Sequence, residues 1–93
     1  MTASGTGTLV LAATPIGRVQ DASSRLATEL ASADVIAAED TRRFRRLCDR
    51  LGVEVSGRVV SYFEGNEMAR TGELRHALRD GLRVVLVTDA GMP

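Results

Sequence analysis

Short runs of aliphatic and β-branched residues alternate along this chain with longer stretches whose apolar residues recur at helical spacing. The runs are Thr8 to Ala13, Val35 to Ala38, Arg58 to Tyr62 and Arg83 to Val87, and each reads as a strand. The first is unbroken rather than alternating, which predicts a central strand covered on both faces. Between the runs, Leu26, Ala27, Leu30 and Ala33 form one apolar stripe, so a helix is predicted from Asp21 or Ser23 to about Ala33, where Asp34 breaks it. Phe44, Leu47, Cys48 and Leu51 recur at i, i+3, i+4 and i+7, which predicts a second helix capped by Asp40 or Thr41 and stopped by Gly52. A third spans Asn66 to Asp80, is weakened by Gly72 and ends at Gly81.

Strand and helix thus alternate through the chain, with connections long enough for right-handed parallel crossovers. The fold class is α/β, a parallel doubly wound sheet. All four strand ends then gather on its carboxyl edge, where open sheets bind ligands. There is no internal repeat or low-complexity segment. At 93 residues the chain is short for covering both sheet faces, and Thr88 to Pro93 stops where a covering helix is expected. Residues 8–93 therefore read as a partial amino-terminal α/β domain, and residues 1–7, small and polar, as a flexible tail.

Twelve arginines and no lysine balance twelve acidic residues, so the formal charge is zero and no global attraction to nucleic acid is expected. Any such contact must come from local clusters. The single cysteine, Cys48, excludes an internal disulfide and has no companions at metal-ligand spacing, so no metal is expected. No segment resembles a secretory signal or approaches membrane-spanning length. A soluble protein in a reducing cytoplasm, without membrane contact, is the expectation.

Chemistry concentrates in the turns. Thr14-Pro15-Ile16-Gly17 lacks the Gly-rich dinucleotide fingerprint and the phosphate-loop lysine, and is either a tight turn or a rigid loop that brings backbone groups to a ligand. In Glu39-Asp40-Thr41-Arg42, an acid caps the following helix, holds ribose hydroxyls, or both. Arg42, Arg43, Arg45, Arg46 and Arg50 crowd one helix, as a solvated face or as a track for a phosphate backbone. Tyr62, Glu64, Asn66 and Glu67 surround the third turn, where Asn66 suits a cap and Tyr62 a strand aromatic or a base contact. Asp89, at the end of an apolar strand and beside Ala90-Gly91, suits a cationic group, a ribose or a metal. His76 reads as a surface residue.

Leu9 to Gly17, Asp34 to Arg43, Ser61-Tyr62, Asn66-Glu67 and Asp89-Ala90-Gly91-Met92-Pro93, taken in order, resemble the ribosomal RNA small subunit methyltransferase I family of the tetrapyrrole methylase superfamily. Ala38-Glu39-Asp40-Thr41-Arg42 is the most specific of these segments. The resemblance implies methyl transfer from S-adenosylmethionine to the ribose 2′-hydroxyl of a cytidine in small-subunit ribosomal RNA. It also implies two α/β domains with the cofactor between them, and a homodimer. This chain would be most of the first domain, and inactive alone. The departures are Arg18 where the family has Asn, Phe63 and Gly65 where it has His on either side of Glu64, and Met92 where it has Thr.

Under that resemblance, Glu39, Asp40 and Glu64 are candidates to take the hydroxyl proton. Thr14, Pro15, Gly17, Asp89, Ala90 and Gly91 are candidates to hold the cofactor. Arg42, Arg43, Arg46, Tyr62 and Asn66 are candidates to hold RNA. The rival readings are a phospho-receiver-like domain, whose acid pair should follow the first strand where this chain has Thr-Pro-Ile-Gly, and a non-catalytic assembly module.

Overall fold

The computed structural model describes residues 7–14, 24–63 and 65–89. Along the chain run β1 (Thr8–Thr14), α1 (Ser24–Ser32), β2 (Val35–Ala38), α2 (Thr41–Leu51), β3 (Arg58–Ser61), α3 (Glu67–Arg79) and β4 (Arg83–Asp89). All neighbouring strands pair in parallel, in the order β1-β4-β2-β3. The doubly wound α/β reading holds.

Strand alternation distributes the apolar side chains to two layers. On one face, Leu26 and Leu30 of α1 and Phe44 and Cys48 of α2 pack on Ile36, Ala38, Val85 and Val87. On the other, Leu74 and Ala77 of α3 pack on Val35, Ala37, Val60 and Val84. A side chain buried as fully as Ile36 contributes about 2 kcal/mol relative to exposure. The helix positions follow from the direction of travel. The path β1 to β2 to β3 moves one way across the sheet, and β3 to β4 moves back, so a constant crossover hand puts α3 on the face opposite α1 and α2.

The expectation of a central β1 is corrected. Among the described residues β1 lies at an edge and pairs only with β4. Val10 and Ala12 face the layer of α1 and α2, whereas Leu9 and Leu11 on the other face are 52% and 71% exposed. An unbroken apolar run reports that both faces of a strand are apolar, and carries no information about what covers them.

Local signals account for most element ends. Gly52 adopts the left-handed conformation at φ 70°, which permits its N–H to bond Asp49 O at 3.2 Å while Val53 N bonds Cys48 O at 3.0 Å. Gly7, last of the small polar residues, donates its N–H to Leu78 O at 3.0 Å. Asp34 does more than break α1. Its N–H donates to Arg83 O and its carboxylate accepts Arg83 N–H, both at 2.8 Å, while its own carbonyl accepts Arg58 N–H at 2.9 Å. One residue thereby ties β2, β3 and β4 at their amino ends. The Arg83 guanidinium in turn pairs with Glu29 of α1.

Gly72 lies on α3 with open space around the position a Cβ would take. Replacing it with Ala is expected to raise stability by about 0.5–1 kcal/mol, through helix propensity and a less free unfolded chain. A thermal melt of the variant checks this. An unchanged or lowered melting temperature contradicts it.

Candidate functional site

Strand register places the polar tips on one rim. Thr14 of β1 sits beside Asp89 of β4, and Ala38 of β2 sits between Val87 of β4 and Ser61 of β3. The segments that follow β1, β2, β3 and β4 therefore leave from the same edge. Pro15, Gly17, Glu64, Ala90 and Gly91 lie outside the described residues, so of the candidates to hold a cofactor only the strand ends Thr14 and Asp89 are located.

Along this rim, β2 and β3 are neighbours whose chains depart to opposite faces, one into α2 and the other into α3. Such a divergence leaves a crevice at the carboxyl ends of the two strands, the switch point at which open sheets take ligands. A groove of about 460 Å³ opens there, lined by Glu39, Asp40, Thr41, Arg42, Arg43, Ser61 and Phe63.

Asp40 is the cap of α2. Its backbone is extended at φ −127°, and its Oδ1 accepts the Arg43 N–H at 3.1 Å. Its pKa lies below the usual carboxylate value, first because of that bond, which outweighs the opposing desolvation, and then because of the Arg42 N–H and the charges of Arg43 and Arg46. A lowered folded-state pKa contributes stability that is full above the ordinary value of 3.8 and is lost as pH falls through the folded value. Asn at position 40 keeps a capping oxygen without the charge. The melting-temperature advantage of the native protein over Asp40→Asn should therefore shrink as the solution is acidified from pH 5 toward pH 3. A gap independent of pH contradicts the charge contribution.

Five arginines less one aspartate give α2 a charge of +4 in a chain whose total is zero. At 3.6 residues per turn, Arg42, Arg43, Arg46 and Arg50 fall in one sector of about 100°, with Arg45 and Asp49 on its flank. All five arginines are exposed. The basic sector starts at the groove and runs about 12 Å down the helix, at 1.5 Å per residue.

The two aromatic neighbours on the third turn separate. Val60 points into the α3 layer, so alternation sends Tyr62 the same way and Ser61 and Phe63 toward the groove. Tyr62 is half-buried, with its hydroxyl 3.2 Å from Thr71 Oγ1. The Thr71 proton goes to Glu67 O at 2.7 Å, so Tyr62 is the donor. Tyr62 instead lines a second hollow with Glu67, Met68, Thr71, Gly72 and Arg75. Asn66, expected as a side-chain cap, makes no cap bond into α3. Its Oδ1 accepts Phe63 N–H at 2.9 Å, and its Nδ2 donates to Ser61 O at 3.3 Å and to Ser61 Oγ at 3.1 Å. Asn66 holds the turn in shape.

The structure thus gathers Glu39, Asp40, Arg42 and Arg43 and sets Tyr62 apart from them. Ser61 and Phe63 were not among the candidate site residues, although extending the period of two past Val60 would have placed both on the groove side. Elsewhere, burial and then Asp49 push the Cys48 thiol pKa up, and the residue packs in the core. His76 is exposed and lies 3.6 Å from Asp80. Among the described residues no three His, Cys, Asp or Glu side chains gather as a metal site, and no helix is long and apolar enough to cross a membrane.

A parallel sheet with a switch-point crevice, two carboxylates lining it and an arginine helix beside it defines a doubly wound α/β protein. Comparison with curated proteins is more specific. The chain is 52% identical over 87 residues to the ribosomal RNA small subunit methyltransferase I of Mycobacterium tuberculosis (strain ATCC 25618 / H37Rv), a match covering 94% of this chain and 30% of that protein. It is 45% identical over 89 residues to the protein of the same name from Micromonospora olivasterospora, covering 96% and 28%. For the Bacillus subtilis (strain 168) protein of that name the figures are 40% over 87 residues, covering 94% and 29%. No family model matches the chain. Over this segment the chain is homologous to the ribosomal RNA small subunit methyltransferase I family, and it spans about 30% of the length of the curated relatives it matches.

Proposed function

We propose that the protein carrying this chain methylates small-subunit ribosomal RNA, taking the methyl group from S-adenosylmethionine and placing it on the ribose 2′-hydroxyl of a cytidine. The observation that carries the reading is the groove between the carboxyl ends of β2 and β3, where acidic side chains meet the basic end of α2. The relatives' names supply the RNA and the reaction class.

The donor set fits such a cofactor. Carboxylates suit its hydroxyls and cationic groups, and the paired ends of β1 and β4 bring the Thr14 and Asp89 segments side by side on the same rim. When bound, S-adenosylmethionine supplies a methyl made electrophilic by the sulfonium. The chain's own residues then have to align and deprotonate. Arg42 and Arg43 hold RNA phosphates at the groove mouth, with Arg46 extending that surface along α2. Restricting the ribose there brings its 2′-oxygen to a defined approach, which is where much of the acceleration arises. Glu39 is the acid at the groove best suited to accept the hydroxyl proton, because the Asp40 carboxylate is engaged with the helix and held ionised. The residues from 90 onward and the remainder of the protein complete the cofactor site in a cytoplasmic homodimer, so this segment alone is inactive.

Labelled methyl transfer from S-adenosylmethionine to small ribosomal subunits by the full-length protein, with mapping of the modified nucleotide, tests the reading. Label on a ribose of cytidine supports it. Absence of transfer, or label on a base, counts against it.

A further inference from the structure

The chain has three aromatic residues, and they have three different environments. Phe44 is buried beneath α2, Tyr62 is tied to Thr71, and Phe63 stands 46% exposed at the groove that also contains Arg42 and Arg43. A single exposed apolar residue is ordinary on a protein surface. Two features make this one different.

First, the turn that carries Phe63 is fastened on both sides. Asn66 N–H donates to Phe63 O at 3.0 Å while Phe63 N–H donates to Asn66 Oδ1, and the same Asn66 amide anchors the turn to Ser61 at the end of β3. Second, the ring lies against Gly65. A Cβ placed on Gly65 would come within 2.6 Å of Phe63 Cε2 and 3.3 Å of Cδ2, so the absence of a side chain there is what allows the ring its position. An exposed aromatic ring is thus held in the lining of a polar groove that Arg42 and Arg43 also line.

Exposed aromatic rings beside basic side chains are how proteins hold unpaired nucleotides, with stacking for the base and charge for the phosphate. We infer that Phe63 is a base-stacking platform, receiving on its ring face the base of an unpaired nucleotide of the RNA substrate while Arg42 and Arg43 take the adjoining phosphates. The inference rests on the RNA methyltransferase reading and adds to it the residue that fixes the base.

The test uses the full-length protein, S-adenosylmethionine and small ribosomal subunits. Phe63→Ala is expected to raise the KM for subunits about 5- to 150-fold, the range that losing one stacked base implies. Phe63→Leu, which keeps apolar bulk but no π-face, should lose nearly as much, whereas Phe63→Trp should keep native affinity or improve on it. Affinity for S-adenosylmethionine should stay unchanged in all three, which also reports that they are folded. The salt dependence of subunit binding should keep its native slope, because stacking releases no counterions. An unchanged KM in Phe63→Ala overturns the inference, as does full recovery in Phe63→Leu. A lowered melting temperature with native KM also overturns it, and assigns the ring to a contact within the protein. No methyl transfer by the unsubstituted protein counts against the methyltransferase reading. Transfer that survives Phe63→Ala with native KM counts against stacking alone.

Discussion

Glu39→Gln in the full-length protein should reduce the single-turnover rate of RNA methylation by a factor on the order of 10² to 10⁴, the usual yield of a placed general base. Three acids were candidates for that role from the sequence. Asp40 accepts the Arg43 N–H and is surrounded by Arg42, Arg43 and Arg46, which hold the carboxylate ionised and make it a weaker base. Glu39 directly follows the last residue of β2, is exposed, and lines the same groove as the arginines that would hold the substrate. Gln preserves its size and hydrogen-bonding capacity but cannot take the proton. The change should therefore appear in the rate at saturating RNA and cofactor, with both affinities near native. A native rate in Glu39→Gln would remove Glu39 from the chemistry and leave it a surface acid. Asp40→Asn provides the contrast, since its main effect should be a loss of stability near neutral pH that fades as the solution is acidified.

Gly57→Ala should destabilise the fold by about 3 kcal/mol, the upper part of the range for forcing extra atoms into a packed site. A Cβ at residue 57 would press on the carbonyl oxygen of Ala33 and stand 2.7 Å from that of Asp34. Both obstacles are backbone, so no rotamer change relieves them. The segment entering β3 would have to move away from Asp34, stretching the Arg58 N–H to Asp34 O bond of 2.9 Å that starts the β2 and β3 pairing. The groove is formed by the other ends of these same two strands, so a change in their spacing should weaken RNA binding as well. Denaturant titration reads the loss as a lower midpoint at unchanged slope. A native midpoint would mean that the approach at Gly57 relaxes without cost.

These two positions differ in how visible they were in the sequence. Glu39 stood out because two acids at a strand-to-helix junction are a local pattern. Gly57 did not, because the carbonyls it must pass belong to Ala33 and Asp34, more than twenty residues earlier, and no local periodicity encodes that approach. Asp34 shows the same division. Its helix-breaking effect is local, whereas its bonds to Arg83 and Arg58 depend on strand order. Asn66 is a further case, since a residue well suited to cap a helix turned its side chain back to Ser61 and Phe63, where the strand end offers partners for both its amide oxygen and its amide nitrogen.

From its letters alone the chain specified the alternation of strands and helices, the parallel arrangement, the left-handed stop at Gly52 and the shared edge of the polar turns. Each of these follows from side-chain period, capping chemistry or crossover length, which act over a few residues or one connection. Strand order was settled only in three dimensions, and with it the edge position of β1, the crevice between β2 and β3, the separation of Tyr62 from Phe63 and the fit at Gly57. The physical reason is that pairing between strands is decided by which apolar faces the helices can cover together, a property of the whole packed layer that no single segment carries.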